Sequence, residues 1–155
     1  MSVLDLVQLK SQLPAGMRLI GLDLGEKTIG IALSDTLLMV ATPFETLKRG
    51  KFTADAKRLQ DIMTAQGAGG VIVGFPLNMD GSTGPAAQSA RAFANNFTQA
   101  TSLPVTLWDE RMSTAAVTRT LLDADTSRAK RAQVVDKMAA AYILQGALER
   151  LRQIA

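Results

Sequence analysis

The chain has 155 residues, 47% apolar and 20% charged, which is enough for one domain with a full hydrophobic core and too apolar for a disordered chain. It contains no cysteine and no histidine, which excludes disulfides, thiolate metal sites, cysteine nucleophiles, Ser-His-Asp catalysis and His-ligated zinc. A net charge of +3 is compatible with a polyanionic partner, and any acid–base chemistry must fall to carboxylates, lysine, tyrosine or metal-bound water.

The opening stretch "MSVLDLVQLKSQLPAG" has an acidic residue and lacks the basic-then-apolar order of a secretory signal. It is expected to form a short surface helix or extension over residues 1–17, ahead of a single domain over 18–155. No apolar run reaches the ~18 residues of a membrane helix, so the expected compartment is the cytoplasm. "RLIGLDLG" (18–25) and "TIGIALSD" (28–35) read as two strands of a hairpin, and "TPFETLKRG" (42–50) as a third strand with Pro43 near its start.

"FTADAKRLQDIMTAQGAG" (52–69) has the apolar stripe of a helix, with Thr53 as its expected cap and Gly67 at its end. "GVIVGFP" (70–76) is continuously apolar, as a strand covered on both faces should be. The turn-rich "NMDGSTG" (78–84) leads into a helix over 85–100 that starts at Pro85. A strand over 103–110, a helix over 113–125 and a long helix over 129–153 complete the chain. The order β-β-β-α-β-α-β-α-α predicts an α/β fold with a mixed five-stranded sheet. Its first three strands would be antiparallel and its last two added in parallel through helical crossovers.

Three carboxylates stand at element ends. Asp23 interrupts an apolar strand, where a charge costs several kcal/mol unless it is paired. Backbone N–H groups of the following turn could satisfy it, but a cation would do so better. Leu19, Gly21 and Asp23 share one face of their strand, and Thr28, Gly30, Ala32 and Ser34 share one face of the next. If these small-residue faces align, Asp23 has room beside it. Of Asp109 and Glu110, adjacent on a strand, only one can face the same side as Asp23, and Arg111 could pair with either. Asp136 begins a helical stripe with Ala140, Ile143 and Ala147, which turns it toward the core.

Strand carboxyl ends line the crevices of parallel sheets, and Asp23 and Glu110 both fall there. A helix laid across the sheet could bring Asp136 to the same place. An oxygen-only cluster of this kind suits Mg²⁺ or Mn²⁺ and the two-metal hydrolysis of phosphodiesters. The loop "SRAKRAQ" (127–133), with three cations in four residues at Arg128, Lys130 and Arg131, is expected to hold a substrate's phosphate backbone beside that cluster.

At these residues the chain resembles a known family. "GLDLGEKTIGIALSD", "VGFPLNMDGSTGP", "DERMST" and "VDKMAAAYILQ" occur in the order and spacing of the YqgF family of Holliday junction resolvase-like, pre-16S rRNA processing nucleases. The likeness runs from about residue 18 to 148. It implies an RNase H-like fold, a metal-dependent nuclease and an acidic site of Asp23, Glu110 and Asp136, with Asp109 as an auxiliary ligand. It also implies a loop shaped by Asn78, Asp80 and Gly81 beside the site. Lys27, Asn78 and Arg111 are further expected substrate contacts. Thr28 departs from the Arg of many relatives and Phe75 from the usual Leu.

The expected partner is nucleic acid, either precursor rRNA or branched DNA. A junction resolvase needs two active sites and hence a homodimer, whereas a trimming enzyme can work as a monomer. Two other classes compete. "DLGEKTIGIALSD" also resembles the phosphate-binding hairpin of the sugar-kinase, actin and heat-shock ATPase superfamily, whose members close two such domains around a nucleotide. A catalytically silent nucleic-acid-binding module would keep the fold and the basic loops, yet it would gain nothing from three acids near a phosphate.

Overall fold

The computed structural model describes residues 2–112 and 128–154, and the side chains of the last helix from Lys137 onward. In chain order the elements are α1 (Leu6–Gln12), β1 (Arg18–Leu24), β2 (Thr28–Ser34), β3 (Ala41–Lys48), α2 (Phe52–Gln66), β4 (Ala68–Phe75), α3 (Pro85–Thr101) and β5 (Val105–Asp109). A 3₁₀ turn (Glu110–Met112) and α4 (Arg128–Gln153) follow. The helix expected over 113–125 lies outside the described residues. No described helix is long and apolar enough to cross a membrane.

The five strands form one sheet in the order β3-β2-β1-β4-β5. The β1–β2 and β2–β3 pairs are antiparallel, while β1–β4 and β4–β5 are parallel. This is the predicted arrangement. The continuous apolar runs at the centre are covered on both sides. Ile20, Leu22, Ile31, Val71 and Val73 pack with Leu59, Met63, Phe93 and Phe97 of α2 and α3. Leu19, Ala32, Ile72 and Trp108 on the opposite face pack with Ala140, Ile143, Leu144 and Leu148 of α4.

The α4 layer lies very close to the sheet. A Cβ added to Gly21 would fall 2.7 Å from Cβ of Leu144 and 3.0 Å from the Ala140 carbonyl oxygen. Glycine at that point of β1 is what lets the helix backbone approach. Of the predicted stripe, Ala140, Ile143 and Ala147 are fully buried, and the side chain of Asp136 lies outside the described residues.

Local expectations held with three adjustments. Gly67 ends α2 in the left-handed region, at φ 71°, and Pro85 opens α3. Thr53, however, is the second residue of α2 rather than its cap. The cap position is Lys51, without a side-chain bond, and the carboxylate of Asp55 reaches back instead to accept from the Gly50 N–H at 3.1 Å. The N-terminal segment is more than a surface extension. Asp5 and Gln8 form a capping box for α1, Leu9 is fully buried and the Leu4 N–H donates to the Val105 carbonyl at 2.8 Å.

The third adjustment concerns the basic stretch. Arg128, Lys130 and Arg131 lie within the first turns of α4 and not in a connecting loop. Ala, Lys, Arg and Gln are strong helix formers, so the helix expected over 129–153 is the reading that holds, beginning one residue earlier at Arg128, and the loop expected over 127–133 is not.

Candidate active site

The strand register decides which carboxylates share a face. Asp23 pairs with Gly30 and Gly21 with Ala32 on β2, so the small-residue faces do align. The last paired step between β1 and β4 is Leu22 with Val73, which leaves Asp23 and Gly74 as the next residues on the two strands. Asp23 thus stands at the carboxyl end of β1 between two positions without side chains, on the face that α4 covers. It is 6% exposed.

Glu110 reaches the same place from β5. A Cβ built on Gly74 would lie 3.2 Å from Oε2 of Glu110, and Gly74 is paired with Trp108. The Glu110 carboxylate therefore lies over Gly74, on the α4 side, and the residue is also 6% exposed. Of the two neighbouring acids at this strand end, Glu110 is the one on Asp23's side.

Asp109 is on the other side. It pairs with Phe75, which belongs to the α2–α3 core, and its carboxylate is engaged by Arg111. Arg111 Nη2 donates at 2.8 Å, Nε donates to both oxygens at 3.1 Å and the Arg111 backbone N–H donates at 2.9 Å. These side-chain bonds hold the Asp109 carboxyl below its ordinary range, against a smaller opposing effect of burial, and raise Arg111 above its own. The sequence offered Asp109 as an auxiliary ligand and Arg111 as a substrate contact. The structure finds them bound to each other.

Arg111 also donates to the Met79 carbonyl at 3.3 Å and so ties the loop after β4 to the end of β5. Within that loop Asn78 Nδ2 donates to Ser82 Oγ at 3.0 Å, while Asp80 accepts from the Ser82 hydroxyl at 2.6 Å and its backbone N–H at 2.9 Å. Those bonds lower the Asp80 pKa, and Gly81 turns the chain at φ 88°. Asn78, Asp80 and Gly81 thus shape the loop, as expected. Lys27 is exposed on the β1–β2 turn at the same sheet edge.

Asp136 is a residue of α4, one turn before Ala140, and its side chain lies outside the described residues, as do those of Arg128, Lys130 and Arg131. Among the described residues no group of three His, Cys, Asp or Glu is placed to hold a metal ion. The described pair is Asp23 and Glu110.

The direction of α4 bears on the third carboxylate. Its later part lies near the start of β1, where Leu151 joins Leu9 and Leu19 around one small cavity. Ala140 and Leu144 cross Gly21 in mid-strand. The helix therefore runs antiparallel to β1, and its earlier turns advance toward the strand's carboxyl end.

The sequence model of the RuvX family, described as Holliday junction resolvase, matches residues 17–150. The chain belongs to the RuvX family. Its motifs had pointed there, through the YqgF resemblance. A relative from Roseobacter denitrificans is 57% identical over 152 residues, 97% of this chain and 93% of that one. One from Phenylobacterium zucineum is 54% identical over 156 residues, 99% of this chain and 100% of that one. Both carry the name "Putative pre-16S rRNA nuclease". Among solved structures, T. thermophilus RuvC in complex with Holliday junction substrate superposes with a TM-score of 0.56 at 15% identity, over 90% of this chain and 98% of that one. The fold of this RuvX-family chain is accordingly RNase H-like.

Three residues of the site region carried weaker signals in the sequence. Gly74 was legible as an isolated glycine in an apolar strand, the mark of a close approach. Ile143 counted only as core. Arg49 donates from Nη1 to the Gly25 carbonyl at 2.7 Å, and nothing local in the sequence foretold that it would staple the end of β3 to the turn after Asp23.

Proposed function

We propose that this chain is a metal-dependent nuclease of the cytoplasm that hydrolyses phosphodiester bonds in structured nucleic acid, processing the 5′ end of precursor 16S rRNA. The observation that carries this reading is the convergence of Asp23 and Glu110, two buried carboxylates, on one sheet face at one strand end. The names of the close relatives support the choice of substrate.

The donor set fits a hard divalent cation, because its ligands are carboxylate oxygens at two strand ends on one sheet face. Asp23 and Glu110 would hold Mg²⁺ or Mn²⁺, with Asp136 as the third ligand, delivered by the antiparallel course of α4. Bound there, the cation supplies charge stabilisation at the scissile phosphate and lowers the pKa of the attacking water. The rigid strand ends fix the carboxylates before substrate arrives, and α4 excludes bulk water from beneath them. Asn78 and its loop border the site, while Lys27 stands at its rim to meet the phosphate backbone.

The family description favours a second reading, a resolvase acting on four-way DNA. That activity needs a homodimer, whereas rRNA trimming is open to a monomer. A cleavage assay with Mn²⁺, offering precursor 16S rRNA and a four-way junction side by side, separates the two. Cutting of the rRNA alone supports the proposal, cutting of the junction alone transfers the assignment to the resolvase, and no cutting of either sinks the nuclease reading.

A further inference from the structure

We propose that the corner joining β3 to α2, together with the β1–β2 turn, is a docking surface for the phosphate backbone of the nucleic acid. This deepens the nuclease reading and rests on it. Lys27, Lys48, Arg49 and Lys51 meet here. Lys48 pairs with Thr28 across the β2–β3 ladder, and the Arg49 N–H donates to the Lys27 carbonyl at 2.8 Å. An open groove of about 330 Å³ runs between Lys27, Thr28, Thr46, Leu47 and Lys48.

The placement relative to the carboxylates is specific. Thr28 and Gly30 share a face of β2, and Gly30 is the partner of Asp23. Through its pairing with Thr28, Lys48 falls on that same face. β3 runs parallel to β1, so both reach the same sheet edge at their carboxyl ends. A strand of nucleic acid lying along that edge can contact Lys48 while its phosphate meets Asp23 and Glu110.

The corner is also held ready. Arg58 donates to the Lys48 carbonyl at 2.6 Å and to Asp55 at 2.8 Å, Asp55 accepts from Gly50, and Arg49 donates to the Gly25 carbonyl. The backbone is thereby fixed from inside. Lys27, Lys48 and Lys51 remain exposed and make no salt bridge among the described residues, unlike Lys57, Arg58 and Arg111. Lys51 also occupies the cap position of α2, where the helix dipole disfavours a cation. Glu26 neighbours Lys27 at the turn tip, and Glu45 pairs with Ile31 of the opposite face, so cations prevail on this side.

The test measures binding of labelled single-stranded RNA and of a four-way DNA junction across a range of salt, with Ca²⁺ present so that nothing is cut. Lys27→Ala, Lys48→Ala, Lys51→Ala and the triple variant are compared with Arg150→Ala, which removes a charge from the far end of α4. Each lost phosphate contact should flatten the salt dependence by about 0.7–0.9 units of log–log slope. The triple variant is expected to lose tenfold or more in affinity for both probes while keeping its Mn²⁺ affinity. An unchanged slope in the triple variant overturns the docking surface and leaves the nuclease reading standing. Equal losses from Arg150→Ala and Lys48→Ala overturn it as well, because binding would then be spread over the whole molecule. Absence of salt-dependent binding by the unaltered protein overturns both readings together.

Discussion

A Cβ built on Gly74 would lie 2.5 Å from Cδ1 of Ile143. The glycine of β4 and the isoleucine of α4 occupy one volume, and the Glu110 carboxylate lies at its border, 3.2 Å away. A single residue thus sets both the seat of the helix and the position of an acid.

Gly74→Ala is expected to destabilise the fold by ~1–3 kcal/mol through overpacking. The double variant Gly74→Ala/Ile143→Val removes the clashing Cδ1 and should regain most of that stability in a thermal melt. The new methyl still presses on Glu110, so Mn²⁺ affinity by calorimetry should stay several-fold weaker. Metal affinity that recovered in step with stability would reduce Gly74 to a packing residue.

Asp23→Asn removes a buried charge and retains the side chain's shape, so the variant should still fold, as circular dichroism checks. Mn²⁺ binding and cleavage should both fall to background. Ca²⁺, which prefers more ligands and longer bonds, should support cleavage poorly in the unaltered protein. Full cleavage by the Asn variant, or in EDTA, would refute the metal mechanism.

The Asp109–Arg111 pair gives a signed pH dependence. Its folded-state carboxyl titrates below its ordinary value, so the stabilisation is fully present above the unfolded value and is lost as pH falls through the folded one. Arg111→Met should be less stable than the unaltered protein at neutral pH. Denaturant melts in acid should show the two converging, and carbon NMR of Asp109 should show its pKa rising. A gap that persisted at low pH would assign the effect to the lost loop contact at Met79.

Gly146 packs against the Trp108 indole, where an added Cβ would meet Cζ2 and Nε1 at 3.1 Å. Alanine improves helix propensity by roughly 1 kcal/mol, yet overpacking against a rigid ring costs ~1–3 kcal/mol. The second effect should win, and Gly146→Ala should lower the melting temperature. A rise would mean that α4 shifts freely at this point.

The sheet was legible because each central strand is apolar on both faces and each crossover helix has a clear start or stop, as at Pro85 and Gly67. The side of Asp23 could be read from strand alternation, and that of Glu110 became definite only with its contact over Gly74. The loop reading of 127–133 failed because charge and helix propensity give opposite signals in "RAKRAQ", while the helix expected over 129–153 followed propensity and held. The bond between Arg49 and Gly25 joins residues from different elements, so no periodicity could announce it. Leu9 likewise had no local sign of burial, since the helices and strands that cover it come from distant parts of the chain.

Lys10 of α1 donates to the carbonyls of Leu151 and Ile154, at 3.3 and 2.7 Å, across 141 and 144 positions. The α1 and α4 helices are clasped together beyond the sheet edge opposite the carboxylates. During synthesis the clasp can close only after residue 154 has left the ribosome. Until the earlier turns of α4 have emerged, the surface made by Leu19, Ala32 and Ile72 lacks the cover that Ala140, Ile143 and Leu144 give it. Contacts so remote in sequence also form slowly. For a chain emerging in order, that interval is its main exposure to unwanted association, and shielding of this half-built sheet by a chaperone would matter most there.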